Sequence, residues 1–462
     1  MIIEALPDEA LLEVFDFCVK NRFVHKEWWT TLAHVCRRWR YIVFASPLRL
    51  NLSLLCNSRK PVRAMLDTWP PLPIYIYEVS LSEEDGDNII AALEHNDRVC
   101  GIYIWFNDFS SSVSGRLAMV MEMPFPQLTH LTLCSYSDET TLVVPGTFLS
   151  GSAPHLRYCL VDYLPFPALR SLHLSAPYLV TLYLHKIPHS AYISPEAMVT
   201  CLSAVINLES LSLRFRSPRS RPNRATRHPP PLIRANLPAL SEFYFSGVSE
   251  YLEDFISRVD APLVDYLQIS LFHQLSLDVS QLHQFIGRTE TLDAFNHADV
   301  QLSTAGASIE LSQETPNHYR PRLSLSMQCY ASDWQCSFLA QACRLLSPTL
   351  STFETLSFCE RESEPLTPAW EDDIENGQWL ELFHPFTSVK SLRLCKVVAP
   401  HVVPALRQLT EERVADVLPA LQNIYVEGLQ LSGPTQEGID QFVAARRLSN
   451  HPVTVKPWDG LK

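Results

Sequence analysis

Apolar and polar positions alternate along this chain with two different periods, and the period changes after the first fifty or so residues. Residues 6–19, LPDEALLEVFDFCV, place Leu11, Leu12, Phe15, Cys18 and Val19 on one face of a helix. Pro7 suits a first helical turn, where its missing N–H costs nothing, and Asp8 and Glu9 favour the positive end of the helix dipole. A second helical run, TTLAHVCRRWRYIVFASP, aligns Leu32, Val35, Cys36, Trp39, Ile42 and Val43. Arg37, Arg38 and Arg40 fall on or near the opposite side, and Pro47 ends the run. Two such helices bury little by themselves, so the module needs a partner or a neighbouring domain. The plainer alternative is a helical cap on a larger domain.

Further along, the period drops to two. A unit close to Pro-x-Leu-x-x-Leu-x-Leu recurs as PQLTHLTL (Pro126–Leu133), PALRSLHL (Pro167–Leu174), PYLVTLYL (Pro177–Leu184) and NLESLSL (Asn207–Leu213). It continues as PALSEFYF (Pro238–Phe245), TSVKSLRL (Thr387–Leu394) and PALQNIYV (Pro419–Val426). Looser copies are PHLRYCLV (Pro154–Val161), LVDYLQI (Leu263–Ile269) and STFETLSF (Ser351–Phe358). The alternating leucines predict strands, and the upstream leucine anchors the turn into each strand. Helix-like stretches lie between several of them, at Ile193–Val205, Val248–Val259, Trp334–Leu345 and Pro404–Val417. IYIYEV, DNIIAALEH, GIYIWF and SGRLAMVMEM continue the rhythm over residues 73–123, whereas the pattern is degraded near 290–345. Strand and helical return, repeated many times, predict a solenoid of stacked units in which each buries its apolar face against its neighbours. An ordinary α/β sheet of leucine-rich strands is the competing architecture.

Composition narrows the function classes. Of 462 residues, 47% are apolar, enough for a large core. With 37 basic against 50 acidic side chains the net charge is −13, which disfavours whole-chain binding to nucleic acid or an anionic membrane. The acidic start lacks the basic, then apolar, plan of a signal peptide, and no stretch approaches the 18 or so apolar residues of a membrane span. The 12 cysteines are scattered with no CxxC pair, which predicts free thiols in a reducing cytoplasmic or nuclear setting. The 13 glycines form no GxGxxG, P-loop or GxSxG, and no HExxH occurs. No catalytic, metal or cofactor site is therefore expected, and the chain is expected not to be an enzyme.

Two charged segments stand apart. Arg214, Arg216, Arg219, Arg221, Arg224, Arg227 and Arg234 crowd a Pro/Ser-rich stretch that predicts an exposed loop. Such a loop suits an anionic partner, although the absence of aromatics from it disfavours base stacking. Glu360, Glu362, Glu364, Glu371, Asp372, Asp373 and Glu375 form an acidic stretch expected to be a solvated loop. Cys329, Cys336 and Cys343 recur every seven residues, which puts them on one helical face but does not suit a single metal ion, so core packing is expected.

The order Leu6-Pro7-Asp8-Glu9, Leu11-Leu12-Glu13-Val14-Phe15, Val35-Cys36-Arg37-Arg38-Trp39-Arg40 and Ser46-Pro47 resembles the F-box family. The resemblance covers about residues 5–50. It departs in a longer, aromatic link, KNRFVHKEWWT, and in lacking a tryptophan past the second helix. It implies a small helical bundle that binds the Skp-type adaptor of SCF (cullin–RING) ubiquitin ligases. Leu6, Pro7, Leu11, Leu12, Phe15, Leu32, Val35, Cys36 and Trp39 would together form its core and adaptor surface. The repeats resemble irregular leucine-rich repeats, and the pairing looks like fungal F-box proteins of that kind. The expected fold class is α/β. A small N-terminal helical F-box (1–50) and a connecting helical segment (51–72) precede an irregular leucine-rich-repeat-like solenoid of strand–helix units (73–462). The implied function is a substrate receptor that holds an unidentified protein. A non-ligase scaffold binding phosphoprotein or nucleic acid through the arginine loop is the alternative.

Overall fold

The computed structural model describes residues 6–20, 28–45, 51–56, 61–68, 71–78, 83–106, 111–135, 144–148, 153–171, 175–222, 233–273, 280–292, 295–313, 321–329, 332–346, 350–360, 376–409, 416–428 and 433–458. The fold is mixed α/β, with 13 α-helices among the described residues. Three of them open the chain: α1 (Asp8–Lys20), α2 (Trp28–Val35) and α3 (Arg37–Phe44). The chain divides into two compact units, residues 1–193 with 200–212, and residues 194–199 with 213–462.

The first unit contains the three helices and a parallel ladder. Its strands are β1 (Leu52–Leu55), β2 (Ile74–Glu78), β3 (Val99–Phe106), β4 (His130–Ser135), β5 (Tyr158–Asp162), β6 (Thr181–Ile187) and the start of β7 (Ser210–Phe215). Each of β1 to β5 pairs in parallel with the next strand in the chain. Helices Val62–Thr68, Glu83–Leu93 and Ser111–Met121 make the returns between its first four strands. The segment expected as a helical connection, 51–72, thus holds a ladder strand as well as a helix.

Among its described residues the second unit holds the end of β7 and eleven further strands: β8 (Ala235–Asn236), β9 (Glu242–Gly247), β10 (Val259–Asp260), β11 (Tyr266–Phe272), β12 (His297–Ser303), β13 (Gly306–Ser312), β14 (Pro321–Gln328), β15 (Thr355–Glu360), β16 (Ser391–Leu394), β17 (Asn423–Glu427) and β18 (Thr454–Trp458). Nine of them lie in the order β9-β11-β14-β13-β12-β15-β16-β17-β18, while β8 and β10 form a separate pair. The helix Ser249–Ile256 follows β9, and Ser332–Leu345 connects β14 to β15. The helix expected over 404–417 instead runs Ala399–Arg407, straight through Pro404.

The recurring unit has a clear physical origin. In PQLTHLTL the alternating Leu131 and Leu133 are buried, and so is the upstream Leu128. Leu128 N–H donates to the Phe125 carbonyl, closing a turn with Pro126 in its second place. The same bond joins Leu156 to Ala153, Leu179 to Ala176, Leu240 to Leu237, Val264 to Ala261 and Leu421 to Leu418. Proline is favoured there because its ring presets the φ that the turn requires. This accounts for part of the 34 prolines. The strand leucines then meet the core of the unit, while the intervening residues point to the opposite sheet face.

Two stretches depart from the expected pattern. PALRSLHL forms the turn, with Leu169 N–H donating to the Phe166 carbonyl, but continues as a short 3₁₀ helix, Pro167–Ser171. Leu172–Leu174 lie outside the described residues, and β5 pairs directly with β6. Only ten residues separate Pro167 from Pro177. A parallel strand plus its return needs about a dozen, so the two copies cannot both supply ladder strands. The stretch near 290–345, where the repeat pattern is degraded, holds three strands among its described residues. Among them β13 runs antiparallel to both β12 and β14. Gly306 begins β13 because a Cβ there would lie 2.2 Å from the Met327 carbonyl oxygen.

Candidate partner-docking site

The second helical run is two helices, not one. Cys36 is extended (φ −156°, ψ 171°), and its thiol accepts from the Trp39 N–H at 3.4 Å, capping α3. The break turns α3 relative to α2, so the face expected over residues 32–43 is not continuous. The rings of Phe15 on α1 and Trp39 on α3 pack with centroids 4.8 Å apart. Arg38 ties α3 back to α1 through Asp8, at 2.6 Å, and donates to the Leu6 carbonyl. Arg40 Nε donates to the Ala33 carbonyl at 2.9 Å. The arginines expected opposite the apolar face thus include two that pin the helices together.

This geometry divides the candidate residues. Leu11 and Phe15 are buried, 1% and 5% exposed, together with Ala33, Ile42 and Val43. Leu6, Leu12, Leu32 and Trp39 are half-buried, whereas Pro7, Val35 and Cys36 are exposed. Apolar groups that the sequence pattern did not single out as a surface are also exposed: Val14 and Phe17 on α1, and Tyr41 and Phe44 on α3. Arg37, Arg40, Tyr41, Phe44 and Ala45 line an open groove along α3. The module thus buries its centre and leaves valine, phenylalanine and tyrosine side chains exposed, the kind of apolar surface that marks interaction sites.

Residues 3–53 match the F-box-like family. The three helices are therefore an F-box-like domain, in agreement with the LPDE, LLEVF and VCRRWR motifs. No curated protein matches the chain. Among solved structures, the leucine-rich repeat-containing protein LegL7 from Legionella pneumophila aligns over 88% of this chain and 99% of its own. The identity is 12% and the TM-score 0.26, too low to carry an argument. The leucine-rich-repeat character rests instead on the parallel ladders and the turn-strand unit of this chain.

The arginine-rich segment is less free in charge than its sequence suggests. Arg221 lies 3.8 Å from Glu250, and Arg234 lies 3.9 Å from Asp260. Asp260 is shared with Arg288 at 3.1 Å. Burial, followed by the nearby Arg234, holds the Arg288 guanidinium below its ordinary pKa. Arg214 lies over the Tyr244 ring, 5.9 Å from its centre. Arg216 and Arg219 are exposed, while Arg224 and Arg227 lie outside the described residues. So does the acidic stretch beyond Glu360, which itself ends β15.

Cys336 and Cys343 lie buried on the helix Ser332–Leu345, and Cys329 is buried just past β14 rather than on that helix. Cys329 Sγ approaches His273 Nδ1 at 3.6 Å. No His, Cys, Asp and Glu cluster suited to a metal occurs among the described residues.

Sequence reasoning missed a buried polar cluster on β12, β13 and β15. Asp299 accepts from Gln301 Nε2 at 3.0 Å, and the same amide nitrogen lies 3.2 Å from Glu310 Oε2. Ser357 Oγ meets His297 Nε2 at 3.3 Å. Asp299, His297 and Ser357 are all fully buried, so the Ser–His pair lies within the core. The signal was present in HADVQLS and GASIELS, whose polar residues alternate with apolar ones at strand period.

Burial raises the Asp299 carboxyl above its ordinary range, opposed by the Gln301 hydrogen bond, Cys359 and Arg393. Its folded pKa then exceeds its unfolded pKa, so its charged form penalises the fold. That penalty is absent below the unfolded pKa and grows as pH rises through the folded one. Asp299→Asn is expected to raise the thermal midpoint at pH 7. The gain should shrink as pH is lowered, and a lower midpoint at neutral pH would show that the carboxylate stabilises the cluster.

Proposed function

We propose that this chain is the substrate-receptor subunit of an SCF-type (cullin–RING) ubiquitin ligase. The carrying observation is the exposed apolar surface of the F-box-like domain, followed in the chain by leucine-marked, mostly parallel strands. The surface docks a Skp-type adaptor, and through it the cullin–RING ligase. The core residues Leu11 and Phe15 hold the bundle, while Pro7, Val35 and Cys36 face the adaptor, with Leu6, Leu12, Leu32 and Trp39 at the margin. The repeat units hold a protein substrate, in the arrangement known from fungal F-box proteins with irregular repeats.

The chain's part in the reaction is proximity, not chemistry. Tethering raises the effective concentration of substrate lysines at the ubiquitin-charged enzyme, and partner subunits supply the nucleophile. Such a receptor works in the cytoplasm or nucleus, needs no cofactor and is not itself an enzyme. The scaffold alternative gains little from the arginine segment, because Glu250 and Asp260 neutralise part of its charge.

Mixing the purified full-length chain with recombinant Skp-type adaptor and cullin should give a complex that co-elutes on size exclusion. A folded chain that elutes alone, at micromolar concentrations of all components, removes the ligase assignment.

A further inference from the structure

The sheet side of the first unit opposite its leucine core is aromatic. One register row sets Tyr77 on β2 beside Tyr103 on β3, then passes through Thr132 and Leu160 to Tyr183 on β6. The next row holds Tyr75, Gly101, His130 and Tyr158. Tyr77 and Tyr103 stack with centroids 4.8 Å apart and planes 11° apart. Tyr158 meets Tyr183 edge-on at 5.9 Å, and the Tyr183 hydroxyl lies 3.0 Å from Ser210 Oγ. At Gly101 a Cβ would lie 2.4 Å from the Tyr75 ring, so glycine makes room for that ring to lie across β3. The Tyr183 ring also stacks on His185, with centroids 5.6 Å and planes 12° apart. These contacts fix the rings, and all five tyrosines are half-buried.

The face is neutral. Burial, then neighbouring tyrosines, pushes the Tyr77 and Tyr158 hydroxyls up to about 12, and Tyr103 shifts in the same direction. Burial lowers the pKa of His130, which favours its uncharged ring. At the edge of the face Lys186 pairs with Asp162 at 4.0 Å and sits 4.3 Å above the centre of the Tyr163 ring. The second unit repeats this chemistry, with Arg214 over Tyr244 at 5.9 Å and Lys456 over Tyr425 at 5.6 Å. Among the described residues, then, three tyrosines within or beside a strand seat one of the chain's own cations.

We infer that the tyrosine face of the first unit holds an extended segment of a protein substrate through lysine or arginine side chains seated over Tyr103 and Tyr183. The inference rests on the substrate-receptor function proposed above. Electron-rich ring faces attract cations, and fixed rings do so at little entropic cost. The first unit carries 20 acidic against 15 basic side chains, a net charge of −5, which favours the approach of a basic segment. Tyr103 and Tyr183 are three strand spacings apart in one row, about 14 Å. That is about four residues of extended chain, so basic residues at i and i+4 reach both rings.

The test uses the full-length chain and fluorescence anisotropy of a labelled peptide with arginine at every fourth position, spaced by Gly-Ser-Gly. The same peptide with glutamate, and a proline-rich peptide, serve as competitors for the assignment. The arginine peptide should bind best. Tyr103→Ala with Tyr183→Ala should weaken it by about tenfold or more, whereas Tyr103→Phe with Tyr183→Phe should bind nearly as the parent. Preference for glutamate or proline, no arginine-peptide binding, equal binding by the alanine pair, or loss in the phenylalanine pair would each overturn the inference. Circular dichroism checks the fold of every variant. Adaptor co-elution is measured on the same preparations. Retained adaptor with failed peptide binding removes the tyrosine site alone, while a folded parent chain that never binds adaptor removes the receptor function.

Discussion

A chain carrying Val35→Asp and Tyr41→Asp will lose affinity for a Skp-type adaptor by about a hundredfold or more, while its helices stay formed. Val35 and Tyr41 are 57% and 71% exposed, so neither contributes much to the bundle interior. Burying one carboxylate without a partner in an apolar interface already costs several kcal/mol, and a handful of central side chains carry most interface energy. Each 1.4 kcal/mol is about tenfold in affinity, which sets the scale of the expected loss. Surface plasmon resonance with immobilised adaptor reads it directly. The choice of residues matters. Leu11→Ala would also abolish binding, but by opening the bundle, because Leu11 is 1% exposed and its truncation costs about 2–5 kcal/mol. A core variant therefore cannot separate a lost surface from a lost fold. Unchanged affinity in the Val35/Tyr41 pair, with native circular dichroism, would move adaptor docking off this face.

The second large effect lies in the repeat body. Trp379→Ala should destabilise the second unit by about 3–5 kcal/mol, the range for removing a fully buried tryptophan. Trp379 is 1% exposed on the helix Asn376–Phe383. Its ring meets Phe358 of β15 at 5.9 Å, edge-on, and Phe358 in turn packs against Phe383 at 5.5 Å. Truncation opens a void between helix and strand where stacking should be tightest. Units in a ladder depend on nearest neighbours, so the loss should spread to β16 rather than stay local. Urea unfolding followed by hydrogen exchange of β15 and β16 measures both. A cost below about 1 kcal/mol would mean that the helix repacks onto the strand. Leu448→Ala, at a site 72% exposed, is the matched control with little expected change.

Much of this architecture was legible in the chain itself because two signals are local. A leucine three residues before an alternating pair fixes both a turn and a strand, and proline fixes the turn's entry. That signal marked β4, β6, β9 and β17 at once. It overreached at PALRSLHL, where the same residues close the turn but have no room for another strand and return. It fell short at β12 to β14, whose serines, acids and histidine hide a strand period that has few leucines. The pairing there joins strands through an antiparallel member, and nothing local announces a partner that is not next in sequence.

By itself, the sequence determined that the chain begins with an F-box-like helical module and continues in leucine-marked strand units, since periodicity and turn chemistry are properties of a few neighbouring residues. The tertiary structure alone decided which module residues are core and which are surface. One extended residue, Cys36, breaks the second helix and sets the direction of every side chain beyond it. It also decided that Tyr77, Tyr103 and Tyr183, far apart in the chain, share one row of one sheet face. Strand register sets that row, and register depends on how separate repeats stack rather than on any one of them.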